Sequence, residues 1–231
     1  MSIAEKTLQL KQDFDDVYEA GKKAEYDAFW ESFKNDWQMQ YLFAGHAWND
    51  TTFKPKYDLT VGAFNCSGMF QLNQVSNIKS RLLECGVKLD LSKCVNFLNG
   101  FSNATTTELP EIDLSNCDTI SGTFGNMSNL TSIDKVTFKD GVSFSNTFRN
   151  TSNLEHISIG GTISASGFDI HWSTKLTAAS LYSIISALST TTTGLTITLP
   201  TTAQENFERN YGTGTWKEHT DTRRNWTIAY A

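Results

Sequence analysis

The sequence predicts an α/β repeat solenoid, a stack of short parallel strands entered through an N-terminal helix and closed by a C-terminal cap of helix and strand. Three observations lead there. Phe124, Leu130 and Ile133 return as Phe148, Leu154 and Ile157, and Ser128-Asn129-Leu130 returns as Ser152-Asn153-Leu154, each 24 positions later. A fixed period in the range of roughly 20 to 50 residues marks repeat architectures. Leu89-Asp90-Leu91, Ile112-Asp113-Leu114, Val136-Thr137-Phe138 and Ile157-Ser158-Ile159 alternate apolar, polar, apolar, so each strand is expected to bury its outer pair and show its middle residue. Strands this short cannot bury that face alone and must stack edge to edge, about 4.8 Å apart. After Ile163 the rhythm changes, as a terminal cap requires.

Three regions follow: 1–40, an N-terminal helix; 41–171, the solenoid; and 172–231, the cap. In the first, Ile3, Leu10, Val17 and Ala24 fall on a seven-residue period with Phe14 alongside, as a helical seam does. Beyond Gly21 the apolar face becomes aromatic, with Tyr26, Phe29, Trp30, Phe33 and Trp37 spaced three and four apart. Two compatible readings stand. The aromatic half covers the open end of the solenoid, or the Ile3 to Ala24 half pairs with copies of itself in a homo-oligomer.

From Tyr41 to Tyr57 the chain is aromatic and turn-rich, a joint in which Pro55 forbids a helix interior. Asn65 to Phe70 gives an irregular first repeat. Asn77 to Cys85 is a short helix with Ile78, Leu82 and Leu83 inward, stopped by Gly86. In the cap, Thr177 starts a helix whose Leu181, Ile184, Ile185 and Leu188 share a face. Leu195, Ile197 and Leu199 alternate as a strand. Pro200 and Thr202, with Glu205 three residues on, start another helix, and Trp226, Ile228 and Tyr230 make a last strand.

Two segments carry a leucine-rich pattern, Leu109-x-x-Ile112-x-Leu114-x-x-Cys117 and Leu154-x-x-Ile157-x-Ile159-x-x-Thr162. With the runs IDLSNC, TFGNMSNLTSID and TFRNTSNLEHISI they resemble the BspA-type leucine-rich repeats of bacterial surface proteins and of gut-bacterial phages and prophages. The resemblance covers about Tyr57 to Ile163. It departs from the pattern between Ile133 and Val136, where the chain carries extra residues that the Ile157 segment lacks. Separately, VYEAGKKAEYDAFWESF, Val17 to Phe33, resembles the segment preceding such repeats in proteins encoded among phage and prophage tail genes of Gram-positive gut bacteria. That likeness implies a virion-associated role.

Composition bounds the chemistry. Nineteen Lys and Arg against 25 Asp and Glu give a net charge of -6, with no basic run to neutralise phosphates, so nucleic acid is not an expected partner. No apolar stretch of about 18 residues predicts membrane insertion, and no secretory signal is visible, so the chain is expected in a virion or the cytoplasm. Cys94 and Cys117 hold equivalent places and are expected as buried thiols, a disulfide requiring Cα atoms within about 7 Å. Cys66 and Cys85 form no Cys-x-x-Cys pair and the four histidines lie far apart, so no metal or other cofactor is expected. The carboxylates Asp13, Asp15, Asp16 and Glu19 read as a solvated face. Gly160-Gly161 and Gly212-x-Gly214 lack the frame of a phosphate cradle, and the serines lack a base in any motif, so no catalytic residue is assigned. His156 and His171, the latter beside Trp172, read as surface or packing residues.

What remains is a surface. The strand middles Asp90, Asp113, Thr137 and Ser158, flanked by Lys88, Glu111, Lys135 and His156, are expected to form a column on the face that solenoids use for binding. The expected function is non-enzymatic recognition of a protein or surface glycan by a tail-associated virion component, with an intracellular protein-binding module as the alternative. Light scattering on the full chain and on a version starting at Tyr41 separates the two readings of the helix. An oligomeric full chain with a monomeric shortened one marks an assembly device, whereas a monomeric full chain with an aggregating shortened one marks a cover over apolar surface.

Overall fold

Short apolar alternations separated by Asn- and Gly-rich turns dictate many small elements rather than a few long ones. The computed structural model describes residues 59–60, 65–86 and 88–231. The predicted N-terminal helix with Ile3, Leu10, Phe14, Val17 and Ala24, and the Tyr41 to Tyr57 joint, lie outside the described residues. Along the described chain run β1 (Leu59–Thr60), α1 (Ile78–Cys85), β2 (Leu89–Asp90), β3 (Glu108–Leu114), β4 (Ser132–Phe138), β5 (His156–Gly160), β6 (Phe168–Asp169), α2 (Ala178–Ala187), β7 (Leu195–Leu199), α3 (Ala203–Tyr211), α4 (Thr215–Asp221) and β8 (Trp226–Tyr230).

The strands do not form the single stack that the period predicts. They divide into three parallel sheets, ordered β1-β2, β3-β4-β5 and β6-β7-β8, and with the four helices they make a compact α/β domain instead of a leucine-rich-repeat solenoid. Two physical causes are visible. Pro110 lies inside β3 and has no N–H to give a second neighbour, which suits an edge strand. At the other edge the helix α2 packs against β5 in place of a further strand. The Ser180 and Ser183 hydroxyls of α2 accept from the Ile157 and Ile159 N–H groups of β5, at 3.0 and 2.8 Å, and Ser180 donates to the Glu155 carbonyl at 2.9 Å. The C-terminal section is correspondingly a sheet of its own, not a cap on a strand stack.

Within the middle sheet the 24-residue spacing sets the register. Leu109 stands opposite Ile133, Ile112 opposite Val136 and Leu114 opposite Phe138, all buried. Between β4 and β5 the register shifts after the Ile133–Ile157 pair, so that Asp134 and Lys135 face the lone Ser158 before Val136 meets Ile159. These are the extra residues noted between Ile133 and Val136.

Beneath the sheets the core is built on phenylalanine. Phe70, Phe101, Phe124 and Phe148 form a column of near-parallel rings with centroids 4.9, 6.0 and 5.3 Å apart, ending on Phe168 at 5.4 Å. Each ring belongs to a turn that holds the next one by backbone bonds. Phe70, Phe101 and Phe124 donate their N–H groups to the carbonyls of Gly100, Thr123 and Thr147. Each turn requires two left-handed residues four apart, Gly68 and Leu72, Asn99 and Asn103, Gly122 and Asn126, Asn146 and Asn150. Asparagine tolerates that region, and Gly122 is doubly constrained because a Cβ there would lie 2.2 Å from the Asn99 side-chain oxygen. Buried threonines close the bends. The Thr123 hydroxyl lies 2.9 and 2.7 Å from the Phe97 and Ile120 carbonyls, and the Thr151 hydroxyl donates to the Phe148 carbonyl at 2.8 Å.

Cys66, Cys94 and Cys117 are buried reduced thiols in the same core. Cys117 donates to the Cys94 carbonyl at 3.1 Å and Cys94 to the Asn96 carbonyl at 3.3 Å. The hydrogen bond each shares with Cys94, together with burial, pushes the Cys66 and Cys117 thiols up. Such thiols are inert packing groups.

The helix signals in the sequence hold except in three places. Asn77 caps α1 and Gly86 stops it in the left-handed region, yet Leu83, expected inward, is 79% exposed. It stands one residue, about 100°, past Leu82, and Arg81 takes the buried side instead. Thr177 caps α2 as expected. Thr202 precedes α3 without capping it, because its hydroxyl donates to the Thr174 carbonyl at 2.8 Å. Helix α4 has no expected counterpart. It brings His219 between Tyr182 of α2 and Phe207 of α3, rings 4.4 and 5.4 Å away and within 13° of parallel.

Two predictions follow from this packing. Ser180→Ala leaves a buried N–H without its acceptor, a loss of about 1–3 kcal/mol, against a helix-propensity gain of about 0.5 kcal/mol. Urea denaturation is therefore expected to show a net loss, and the exposed control Ser186→Ala none. Burial holds His219 below the usual histidine range, against a hydrogen bond to the Tyr182 carbonyl and with help from Arg223. The folded state therefore binds this proton less readily than the unfolded one. The contribution is whole above the unfolded value, about 6.5, and is lost as pH falls through the lowered folded value. Melting curves from neutral to acid are expected to show a smaller loss over that window in His219→Phe than in the wild type.

Candidate functional site

The predicted column divides among the sheets. Glu111, Asp113, Lys135 and Thr137 come together on the outward face of β3 and β4, Glu111 opposite Lys135 and Asp113 opposite Thr137. The Lys135 ammonium binds the Glu111 carboxylate at 2.8 Å, and that hydrogen bond holds Lys135 above the usual lysine range. On β5 the row reaches Gly160, opposite Thr137, instead of Ser158. A Cβ on Gly160 would meet the Thr137 hydroxyl at 2.4 Å and the Lys135 stem at 2.9 Å, so both side chains lean over the bare backbone of β5.

The remaining four do not join this group. Ser158 is half-buried and stands against the bulge, and His156 is exposed opposite Ser132 at the start of β5. Asp90 lies on β2 in a different sheet, with the exposed Lys88 just before that strand. The two predicted aspartates also have local duties. One oxygen of Asp90 accepts from the Ser92 N–H and one of Asp113 from the Ser115 N–H, both at 2.9 Å, closing the turns that leave β2 and β3.

Four charged neighbours of the row, Asp134, Lys79, Lys139 and Asp118, are not among the expected site residues. Asp134, pushed outward by the bulge, binds Lys79 of α1 at 2.6 Å and holds its ammonium above the usual range. Lys139, just after β4, pairs with Asp118. The outward surface is thus a lattice of exposed ion pairs, Glu111–Lys135, Asp134–Lys79 and Asp118–Lys139, around the polar Asp113 and Thr137. The signal was present in the extra residues between Ile133 and Val136, which turn one more charge to solvent.

Such a surface can do one thing chemically, which is to exchange internal ion pairs and hydrogen bonds for those of a partner. Among the described residues, no group of three or more His, Cys, Asp and Glu side chains is placed to hold a metal ion. None of the described helices is long and apolar enough to cross a membrane. Comparisons with protein-family models, curated proteins and solved structures find no match to this chain.

Proposed function

We propose that this chain is a binding protein and not an enzyme, and that the outward face of β3 and β4 recognises a protein or a surface glycan. The observation that carries this reading is the pairing of Glu111 with Lys135 and of Asp113 with Thr137 on a two-strand platform whose other face is fully buried. Preorganised polar groups on rigid strands lose little entropy when they engage a partner. Complementary charge then sets specificity and encounter rate more than raw affinity. The likeness of Val17 to Phe33 to segments encoded among phage tail genes supports a tail-associated virion component whose target is on the host surface.

Particles purified by density gradient and probed for this chain test the virion reading, and binding of the purified chain to intact host cells tests the face. The charge swap Glu111→Lys with Lys135→Glu preserves the internal pair and inverts its pattern. It is expected to leave the melting temperature within error and to weaken cell binding at least about tenfold, or ~1.4 kcal/mol. A chain absent from particles that holds one cytoplasmic protein through the same face identifies an intracellular module instead. Unchanged binding after the swap sinks the assignment of the face.

A further inference from the structure

A second site stands at the carboxyl end of the β6-β7-β8 sheet. Parallel α/β sheets hold ligands at that end, because side chains just beyond the strands converge there on a rigid backbone. Here β6 ends at Asp169, which stands opposite Thr198 of β7. One Asp169 oxygen accepts both the His171 backbone N–H, at 3.2 Å, and the His171 ring nitrogen Nδ1, at 2.6 Å. A carboxylate only accepts, so Nδ1 donates to it and Nε2 is the second polar atom of the ring. The His171 ring lies 4.6 Å from the indole of Trp172, tilted by 36°.

Trp172 is the unexplained member. It is 42% exposed, and its indole N–H has no partner among the described residues. The chain supports the loop around it firmly. Ser173 is buried and donates to the Thr151 carbonyl at 3.0 Å, and the Thr174 carbonyl accepts from Thr202 and Asn206 at the start of α3. An exposed indole on a hydrogen-bonded loop, next to an oriented imidazole and a carboxylate, is not needed by the core, which is closed by the buried Phe168 and Ile170 on either side of Asp169.

We propose that Asp169, His171 and Trp172 form a binding site for a neutral saccharide. A sugar ring presents an apolar C–H face, which an indole face covers, and a rim of hydroxyls that both donate and accept. The carboxylate and Nε2 accept from that rim, and the indole N–H donates to it. Anionic ligands are disfavoured by the Asp169 carboxylate and by the net charge of -6. A stacked nucleotide is disfavoured for the same reason, and the nearby cation Lys175 is already held by Asn153 at 2.7 Å. The site lies on another sheet from the Glu111–Lys135 face and does not depend on that face binding anything.

Saturation-transfer NMR on the full chain tests it, with methyl glycosides of glucose, galactose, mannose and N-acetylglucosamine as the probes. Transfer to the C–H protons of one ring face of at least one probe is expected, with a Kd on the order of 1 mM. Trp172→Ala is expected to weaken binding at least about tenfold and Asp169→Asn severalfold, while the swap of Glu111 and Lys135 leaves it unchanged. The Trp172 indole N–H signal of the wild type, followed during the same titration, reads the site without any substitution and should shift. No transfer to any probe, a Trp172 signal that stays still, or binding that survives Trp172→Ala overturns the proposal. Loss on the charge swap alone would place the saccharide on the β3–β4 face instead.

Discussion

The column of phenylalanine rings is the constraint on which the rest of this domain depends. Rings 4.9 to 6.0 Å apart along Phe70, Phe101, Phe124 and Phe148 force the turns that carry them to lie at one spacing. That spacing is close to the distance between neighbouring strands, about 4.8 Å, so the turns can bond to one another while the strands above them pair in parallel. The left-handed asparagines serve the same constraint. A turn tight enough to fit one ring needs two residues with positive φ, and asparagine supplies them while its amide bonds the turn beside it, as Asn150 does to Asn126 at 2.7 Å. Removing the column would free the register that brings Glu111 to Lys135.

The same constraint explains how much of the fold could be read from the sequence. Phe124 and Phe148 announce their spacing by identity, and each is preceded by a threonine that proves to be buried, Thr123 and Thr147. The alternations around Ile112, Val136 and Ile157 found their strands because burial of one face is a two-residue rule. What the period could not show is where pairing stops. Edges are decided by single groups, the missing N–H of Pro110 and the hydroxyls of Ser180 and Ser183, and a serine on a helix looks like a minor defect until the strand N–H it accepts from is seen. A 24-residue period extrapolated across those edges gives a long stack, whereas the chain breaks it into three sheets.

The candidate site was legible in proportion to its dependence on register. Glu111, Asp113, Lys135 and Thr137 follow directly from the alternation and the spacing, and they do share a face. Ser158 stands apart because β5 has one residue fewer between its apolar pair, Ile157 and Ile159, than β4 has between Ile133 and Val136. Asp90 fails because its strand belongs to another sheet. The Asp169–His171–Trp172 cluster has no periodic signal at all. Its only trace is an aspartate two residues before a histidine at the end of a short strand, a spacing that lets one carboxylate accept from both the backbone and the ring.

The two proposed surfaces rest on different physics. On β3 and β4 the charged side chains Glu111, Asp134 and Lys135 are already paired, so a partner gains there only the difference between its own ion pairs and the internal ones. Exposed pairs contribute little to stability and are screened within about 8 Å at physiological salt. Binding there is a matter of pattern, sensitive to ionic strength and to the order of charges along the strands. Around Trp172 the arrangement is reversed. The carboxylate holds an imidazole through one oxygen, and the surface offered to a ligand is an indole face with that carboxylate, the imidazole Nε2 and the indole N–H at its rim. Contact at such a surface depends on shape and on desolvation of an apolar face, which salt affects far less. On the proposed reading, the ion-pair lattice and the exposed indole, carried on separate sheets, engage a partner by a charge pattern and by an aromatic ring at once. Joined through one backbone, two weak contacts of unlike kind hold more tightly than either alone, provided the partner presents both within reach.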